Sequence, residues 1–550
     1  MKLRDNRQHN GARKYMHHSL TAVLATVLIV AISGCSPTPD TSDSSSASNT
    51  QSASIGSAAI FTPSDGITLT QHTPLNKWTV FVSELSSSLQ QAHMQKKAIT
   101  SHSYDTLDEQ SQAIQDYVVS HVSQSSSSAA SSSSSSSNTN AETLIVAPVI
   151  DTASFQHQFG DYFGSALQQT ALSSTATPSA ATSDTASPST SSSTSSSSVE
   201  QQAIVRLQSA LNLAKKSGMH VVLLSSTLED FTPDLYVPMS SVKQMAQVQA
   251  KQLVNKLELD KTSKENPKQI EIMLPTDSSA SSTSADEFDK TAFAAIWEVL
   301  GPYFRSGAVK SPSGLLDSKS TADSWQLVSF NASNEDSIKK ELTIRLGKQS
   351  KSASSRTRVD GILAMNDYVA SEITTTLTSL GYTGSSADIN PEISIAGIVD
   401  NITGKADLKK DKVPDPSIAP TSSEDSSDSS KDTSSNNSSE STGSSADSSS
   451  SAWPIVTGYG AYLDNIPSIV NGQQWMTALE DRKAISNSLA KAVRLLNLKQ
   501  SLSSIDGISN EKNNGISSPT LQHQLLTVSA SNLKTALIDT DYVTAADAGL

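Results

Sequence analysis

The sequence predicts an α/β fold built as two doubly wound lobes with parallel sheets. Short apolar runs of strand length alternate with longer segments of helical periodicity, the pattern of strands that helices bury on both faces. Tracts of nearly pure serine fall between these elements. We expect the tracts to be disordered, because they have too little apolar surface to offset the entropy of ordering. Without them roughly 400 residues remain, enough for two lobes.

The first 34 residues predict export. Basic residues crowd positions 2–14, and an uncharged apolar run follows from Ser19 to Gly34. About 16 residues is short for a membrane span of about 20, which favours a signal peptide. The run ends in Ile32-Ser33-Gly34-Cys35, which resembles a bacterial lipobox and implies lipid on Cys35. The alternative is a buried cysteine at the end of an uncleaved anchor helix, and both readings place the remaining chain outside the membrane.

The cysteine count and the net charge limit the kinds of site and partner that the chain can have. Cys35 is the only cysteine, so internal disulfides and Cys-rich zinc sites are excluded. Of 40 Lys and Arg and 54 Asp and Glu, the signal region holds five and one. The mature chain therefore keeps 35 against 53, a net charge near −18. Such a surface repels phosphate backbones, so nucleic acid is not an expected partner.

The elements follow in order along the chain after a tether at residues 35–60. Strands are predicted at 143–147, 220–224, 269–274, 359–364, 393–397 and 454–458, with a weaker one at 67–69. Helical periodicity covers 75–92, 108–122, 200–217, 241–257, 289–306, 335–347 and 368–380. The serine-rich insertions are 123–140, 173–198, 278–286 and 420–451. They are interpreted as additions to loops of an existing fold.

Several segments, in this order and spacing, resemble one family. They are GMHVVLL (218–224) with DLYV (234–237), SVKQMAQVQAKQLV (241–254), VDGILAMNDYVASEITTTLTSLGYTG (359–384), IPSIVNGQQWMT (466–477) and SASNLKTALIDTDYVTAAD (529–547). The chain is similar to the sugar-binding receptors of bacterial ABC importers, which have the type I periplasmic-binding fold. The D-xylose-binding branch is the most similar.

The resemblance implies two lobes joined by a hinge of three crossovers, which close on a solute held at the carboxyl ends of the strands. The expected organisation is a signal peptide at 1–34, a tether at 35–60, a first lobe at 61–238, a second lobe at 239–477, a return to the first lobe at 478–525 and a final crossing with tail at 526–550. An ABC permease that recognises the closed form is the implied protein partner.

On the first lobe, the resemblance assigns two pairs of residues to the ligand. Lys77 stands where the family has arginine and is either a cationic donor to the ligand or a solvated surface charge. Trp78 either faces the cleft or packs under its helix. Ser225 and Ser226 replace an Asp-Arg pair that anchors sugar hydroxyls in the xylose branch. Their hydroxyls can still bind a ligand, although they can equally form a loop and cap the next turn.

On the second lobe, Asn366 and Asp367 match the family best. Asn366 corresponds to a ligand-binding amide, while Asp367 can instead cap the following helix. Phe330 stands where a stacking tryptophan is expected, with a core role as the alternative.

Two further positions depart from the family. Tyr459 lies in a turn where the family has Gly-Gln-Asp, and Glu480 reverses the charge of a lysine. These changes remove the xylose chemistry, so the ligand is expected only to be sugar-like.

No nucleophile-elbow or zinc-protease motif occurs, so we expect no enzyme activity, no cofactor and no metal site. The expected function is that of a lipid-anchored extracytoplasmic solute-binding protein. The alternative is a non-transport envelope lipoprotein that uses the same fold for ligand sensing or partner binding.

Overall fold

The computed structural model describes residues 55–65, 74–129, 141–150, 154–164, 166–167, 193–276, 282–347, 356–387, 453–513 and 515–546. The signal peptide with Cys35, the strands predicted at 67–69 and 393–397 and the serine-rich tract at 420–451 lie outside the described residues.

A seven-stranded sheet forms the centre of the first lobe, in the order β15-β16-β7-β5-β3-β1-β2. Its strands are β1 (Ser57–Pro63), β2 (Ile99–Tyr104), β3 (Glu142–Val146), β5 (His220–Leu224), β7 (Leu235–Val237), β15 (Ile508–Asn513) and β16 (Ile516–Leu521). Only the β15–β16 pair is antiparallel among these strands. Two short strands, β4 (Ala166–Leu167) and β6 (Thr227–Leu228), form a separate parallel ladder.

A six-stranded sheet forms the centre of the second lobe, in the order β10-β8-β12-β13-β14-β17. Its strands are β8 (Lys268–Ile272), β10 (Val309–Lys310), β12 (Gly361–Leu363), β13 (Ile455–Thr457), β14 (Met476–Leu479) and β17 (Leu526–Ser529). All pairs are parallel except β14–β17. A second parallel ladder joins β9 (Leu274–Thr276) and β11 (Ser329–Asn331).

Helices cover both faces of each sheet. They are α1 (Trp78–Gln91), α2 (Leu107–Ala129), α3 (Ser193–Lys216), α4 (Val242–Lys256), α5 (Ser282–Ser306), α6 (Glu335–Leu346), α7 (Asp367–Ser379), α8 (Ile466–Val470) and α9 (Arg482–Asn497). In the first lobe Ile145 of β3 packs in the core beneath α1 and α9, while its neighbour Leu144 packs beneath α2 and α3. Successive side chains of a strand point to opposite faces, so both faces of the sheet are buried.

In the second lobe, α4 and α5 pack over one face of the sheet, and α6 and α7 pack over the other. Leu363 of β12 faces the first pair, and its neighbour Ile362 faces the second. The predicted fold class, two doubly wound parallel-sheet lobes, is confirmed.

Three segments connect the lobes. Residues 238–241 lead from β7 of the first sheet to α4, which packs on the second sheet. Residues 480–481 return from β14 to α9, and residues 522–525 lead from β16 to β17. The chain therefore has the three crossovers that a hinge between two lobes requires.

The structure adds elements that the sequence did not predict. Residues 57–60, assigned to the tether, belong to β1, and β2 with the β15–β16 hairpin was not predicted. Parts of three serine-rich tracts are helical: residues 123–129 extend α2, 193–198 begin α3 and 282–286 begin α5. In these places an adjoining helix, which packs in the lobe, continues into the tract.

Candidate functional site

The three crossovers meet at Glu480. Its Oε1 accepts a hydrogen bond from the Ser240 N–H of the first crossover, and its Oε2 lies 2.6 Å from Nε2 of His523 in the third. Glu480 is completely buried. Burial lowers the pKa of His523, but the charge and hydrogen bond of Glu480, together with Leu521 and Asp481, more than offset this effect, so the pKa is raised above 6.5. The structure thus places Glu480 within the hinge.

Tyr459 joins the same hinge from the second lobe. Its hydroxyl lies 2.7 Å from Ser240 Oγ and accepts a hydrogen bond from Asn76 Nδ2 at 3.2 Å. The ring is completely buried in the core of the second lobe. Because Asn76 precedes α1 of the first lobe, this hydroxyl links both lobes and a crossover.

A segment that follows β3, residues 154–164, bridges the two lobes; we call it the bridging segment. Gln158 Oε1 accepts a hydrogen bond from Asn366 Nδ2 at 3.0 Å, and Gln158 Nε2 donates to Ala332 O at 3.3 Å. The Gln158 carbonyl accepts a hydrogen bond from the Tyr462 hydroxyl at 2.8 Å. One residue of the first lobe therefore makes three hydrogen bonds to the second.

Aromatic packing completes the bridge. The Phe159 ring lies 5.2 Å from the ring of Phe288 and 6.3 Å from that of Tyr459, and both partners belong to the second lobe. Gly160 allows the sharp turn that follows, since its φ is +90° and a Cβ would lie 2.7 Å from Asn76 Cβ. The bridging segment thus occupies the space between the lobes with the chain's own side chains.

Asn366, the best match to the family, uses all of its side chain within the protein. It is the N-cap of α7, where Oδ1 accepts a hydrogen bond from the Val369 N–H at 2.8 Å. Its Nδ2 donates to Gln158, and the residue is completely buried. A ligand would have to displace Gln158 to reach this amide.

Asp367 is satisfied in the same way. Its Oδ1 accepts a hydrogen bond from Gln474 Nε2 at 2.7 Å, and its Oδ2 accepts bonds from Thr477 Oγ1 at 2.7 Å and the Tyr462 N–H at 3.1 Å. Burial raises its pKa to about 6, although these hydrogen bonds oppose the shift. Gly458 is required beside it, because a Cβ there would lie 2.1 Å from Asp367 Oδ1.

Phe330 lies in the core of the second lobe. The residue is buried on β11 and packs with Ile338 and Leu342 of α6. The Arg345 guanidinium lies 5.6 Å from its ring centroid. The structure therefore supports the core role that the sequence left open.

The first lobe presents a different surface. A cavity of about 240 Å³ lies at the carboxyl ends of β1, β2, β3 and β5, with the bridging segment as one wall. Its lining consists of Pro63, Ser64, Asp65, Trp78, Tyr104, Asp105, Pro148, Val149, Ile150, Gln156, His157, Gly160, Asp161, Phe163 and Ser225. This is the position at which open α/β sheets bind ligands.

Two of the predicted residues line this cavity with unused polar atoms. Trp78 is 2% exposed and packs edge-on against Tyr162 at 4.9 Å, so it serves the core as well. Ser225 is 8% exposed and has a φ of +60°, a backbone conformation that residues other than glycine rarely adopt. Within the described part of the chain, Trp78 Nε1 and Ser225 Oγ have no hydrogen-bond partner.

The other two predicted residues of the first lobe lie nearby. Lys77 Nζ lies 3.3 Å from Asp161 of the bridging segment, and this ion pair is largely buried. The backbone N–H of Ser226 donates to the Leu224 carbonyl at 2.6 Å, and Ser226 is buried beneath the cavity-lining Ser225.

The predicted residues therefore fall into three places. Lys77, Trp78, Ser225 and Ser226 are at or next to the cavity, Asn366, Asp367, Tyr459 and Phe330 are packed in the second lobe, and Glu480 is in the hinge. Sequence reasoning missed Asp65, Tyr104, Asp105, His157 and Asp161. Asp65 and Asp105 follow β1 and β2, and Tyr104 ends β2, strands that were not predicted. The last two lie in a segment without periodicity.

The described residues contain neither a metal-binding cluster nor a membrane-spanning helix. Within the described ranges, no group of three or more His, Cys, Asp or Glu side chains has an arrangement that could hold a metal ion. In the same part of the chain, no helix has both the length and the apolar character needed to cross a membrane.

Comparison with solved structures finds solute-binding proteins of transporters. An ABC transporter solute-binding protein from Clostridium phytofermentans with bound β-D-glucose is 15% identical, with a TM-score of 0.44, and the match covers 89% of this chain and 99% of that one. A carbohydrate transporter solute-binding protein from Chloroflexus aurantiacus in complex with D-glucose is 18% identical, with a TM-score of 0.43 and coverages of 89% and 97%.

A periplasmic ribose ABC transporter protein from Conexibacter woesei is 9% identical, with a TM-score of 0.42 and coverages of 89% and 98%. No family model matches the sequence, and no curated protein matches it. At these identities, what the similar proteins bind does not transfer to this chain.

Proposed function

We propose that this chain is an extracytoplasmic solute-binding receptor of an ABC transporter, anchored to the membrane by lipid on Cys35. Its ligand is a sugar-like small molecule, which is bound by closure of the two lobes. The observation that supports this function most strongly is the cavity of about 240 Å³ at the carboxyl ends of four parallel strands. Its buried, unpartnered Trp78 Nε1 and Ser225 Oγ suit a ligand that is rich in hydroxyl groups.

The hinge supports the closure mechanism. Only residues 238–241, 480–481 and 522–525 connect the lobes covalently among the described residues, so rotation about them changes few backbone angles. The Gln158–Asn366 and Tyr459–Asn76 hydrogen bonds also join the lobes, the second of them beside Ser240 of the first crossover. These bonds would break when the lobes open, and the closed arrangement is the one that a permease would recognise.

A second function is favoured by a specific observation. The chain's own Gln158 occupies the Asn366 amide, and protein groups satisfy both carboxylate oxygens of Asp367. A second lobe whose Asn366 and Asp367 already bind other groups of the protein suits a non-transport envelope lipoprotein that senses a ligand or binds a partner through the same fold.

A thermal-shift screen against sugars, nucleosides and amino acids tests the first proposal. A ligand at 100 times its Kd adds about 2.7 kcal/mol to the free energy of unfolding. For a lobe of this size the gain corresponds to a rise in Tm of about 5–10 °C. We expect one or more sugars to produce such a rise, whereas no response from any compound would favour the partner-binding function.

Anchoring is tested separately with Cys35→Ser. If lipid on Cys35 holds the chain at the membrane, the variant will move from the membrane fraction to the soluble fraction. Retention of the variant in the membrane fraction would instead indicate an uncleaved helix as the anchor.

A further inference from the structure

The cavity of the first lobe has an acidic lining. Asp65, Asp105 and Asp161 contribute carboxylates, and none of the described residues that line it is a lysine or an arginine. Asp161 forms an ion pair with the Lys77 ammonium, whose Nζ lies 3.3 Å away. One carboxylate is therefore neutralised by an ion pair, and two remain to set the charge of the cavity.

The two remaining carboxylates each lie just after a strand whose end lines the cavity. Asp65 follows β1, and its Oδ1 accepts a hydrogen bond from the Thr79 N–H at 3.0 Å, in the first turn of α1. Asp105 follows β2 directly and is exposed. Both groups therefore present negative charge to a molecule that enters.

The buried polar atoms impose a second requirement. Trp78 Nε1–H can only donate, while Ser225 Oγ can donate or accept. Both lie in residues that are more than nine-tenths buried, and neither has a partner in the described part of the chain. Because buried polar groups are almost always hydrogen-bonded, the ligand is expected to bring an acceptor oxygen to the indole and a hydroxyl to Ser225.

Size and apolar surface complete the description. About 240 Å³ is below the range of about 300–1,000 Å³ that pockets for drug-sized molecules occupy. Tyr104, Trp78 and Phe163 supply aromatic surface, which packs well against the C–H groups of a sugar ring. The ligand is therefore compact and hydroxylated, with one apolar face.

The geometry points to an amino sugar as the ligand class of this cavity, an inference that rests on the receptor function proposed above. A protonated amine balances the carboxylates of Asp65 and Asp105, and ring hydroxyls serve Trp78 and Ser225. An acidic or phosphorylated sugar would be repelled, and a neutral sugar would leave the acidic lining without a counter-charge.

The test compares probes that share a skeleton and differ in charge. D-glucosamine, D-glucose and D-glucuronate, with the same three derivatives of mannose and galactose, are titrated into the full chain by calorimetry at slightly acidic pH. We expect one of the amines to bind at least tenfold more tightly than its neutral counterpart, and the acids not to bind. Added salt should weaken the binding of the amine and leave that of the neutral sugar unchanged.

A charge variant localises the effect. Asp105→Asn should weaken amine binding three- to tenfold more than it weakens binding of the neutral sugar, because it removes a negative charge from the lining and keeps a side chain of similar size. Asp116→Asn removes the same charge from an exposed position on α2 of the same lobe, outside the cavity, and should leave both affinities unchanged.

The outcomes separate this inference from the receptor proposal. Preference for a neutral or acidic hexose would overturn the amino-sugar class and leave the receptor function standing. An equal effect of Asp105→Asn and Asp116→Asn would place the charge discrimination outside the cavity and overturn the inference. No measurable binding of any of these hexoses also overturns the inference, and the broader thermal-shift screen then decides whether a receptor function remains.

Discussion

The two lobes present opposite surfaces to the space between them. The first lobe has a cavity with an acidic lining and two buried polar atoms that lack a partner among the described residues. The second lobe presents Asn366 and Asp367, whose side chains are fully used by Gln158, Gln474 and their neighbours. The two residues that match the family best, Asn366 and Asp367, therefore make buried hydrogen bonds within the protein.

This difference has a physical origin in the bridging segment. Residues 154–164 follow β3 of the first lobe, and their Gln158 and Phe159 contact Asn366, Ala332 and Phe288 of the second lobe. The other side of the segment, with His157 and Asp161, forms a wall of the cavity. A ligand in the cavity would thus reach the second lobe through this segment.

The largest expected effect on stability concerns the buried hydrogen-bond network of Asp367 in the second lobe. Asp367→Ala removes a buried carboxylate that accepts three hydrogen bonds: it takes one bond each from Gln474 and Thr477 and leaves the buried Tyr462 N–H without its acceptor. We expect the free energy of unfolding to fall by about 3–5 kcal/mol, measured by urea denaturation. The exposed Asp323→Ala should change it by less than about 0.5 kcal/mol. A loss below about 1 kcal/mol for Asp367→Ala would show that the second lobe does not depend on this network.

The next effect is a pH dependence within the second lobe. Burial raises the pKa of Asp289 to about 7, although a hydrogen bond from Ser329 opposes the shift. The folded protein then keeps this proton at pH values where the unfolded chain has lost it. Its contribution to stability is complete below about pH 4 and is lost as the pH rises through about 7.

Asp289→Asn removes this titration. Relative to the wild type, the variant should gain about 3 kcal/mol in free energy of unfolding between pH 5 and pH 8, at about 1.4 kcal/mol for each unit of pKa difference. Urea denaturation of both proteins at both pH values measures the change, and other groups cancel in the difference. A constant difference across this range would mean that Asp289 is ionised throughout.

A smaller effect belongs to the hinge between the two lobes. In the wild type the pKa of His523 should lie above 6.5, because the Glu480 carboxylate outweighs the effect of burial. Its contribution to stability is present below pH 6.5 and is lost as the pH rises through the raised pKa. In Glu480→Gln only burial and weaker contacts remain, so the pKa should fall below 6.5, with a loss of about 1–3 kcal/mol in stability.

Histidine titration by NMR measures this change. His220 is the internal control, because burial lowers its pKa and it lies on β5 of the first lobe, where Glu480→Gln should not affect it. An unchanged His523 titration in the variant would show that the crossovers are not coupled through Glu480.

The smallest effect separates two roles of Asn366. Asn366→Ser keeps an oxygen that can cap α7 but removes the amide that donates to Gln158. We expect a loss of about 1–2 kcal/mol in stability and a larger radius of gyration by small-angle scattering. Asn366→Ala should cost about 1 kcal/mol more, because the cap is lost as well. Equal stabilities for the two variants would assign no value to the cap.

Much of the fold was predictable because its signals are local. The run HVVLL gave β5 at the predicted residues, and the helical periodicity at 241–257 and 335–347 placed α4 and α6 within one residue at either end. The strand β1 was missed because it follows directly on a serine-rich stretch. The β15–β16 hairpin was missed because it is at the sheet edge and its sequences, ISNEKN and ISSPTL, contain few apolar residues.

The site was less predictable because its contacts are distant in sequence. Trp78 and Ser225 were identified from the resemblance, but nothing local indicated that Glu480 pairs with His523 or that Gln158 reaches Asn366. The segment SFQHQFGDYF has neither helical nor strand periodicity, so its position depends on tertiary contacts alone. The residues of this segment that line the cavity could therefore not be predicted from hydrophobic periodicity.

The most direct test of the difference between the lobes is the effect of two variants on ligand binding. Trp78→Phe removes the unpartnered indole N–H of the first lobe and keeps an aromatic ring, while Asn366→Ser removes the amide of the second lobe. Calorimetry with the strongest ligand found in the screen should show at least tenfold weaker binding to Trp78→Phe, with binding to Asn366→Ser within threefold of the wild type. Loss of binding in Asn366→Ser with full binding in Trp78→Phe would contradict the assignment of the ligand to the first lobe.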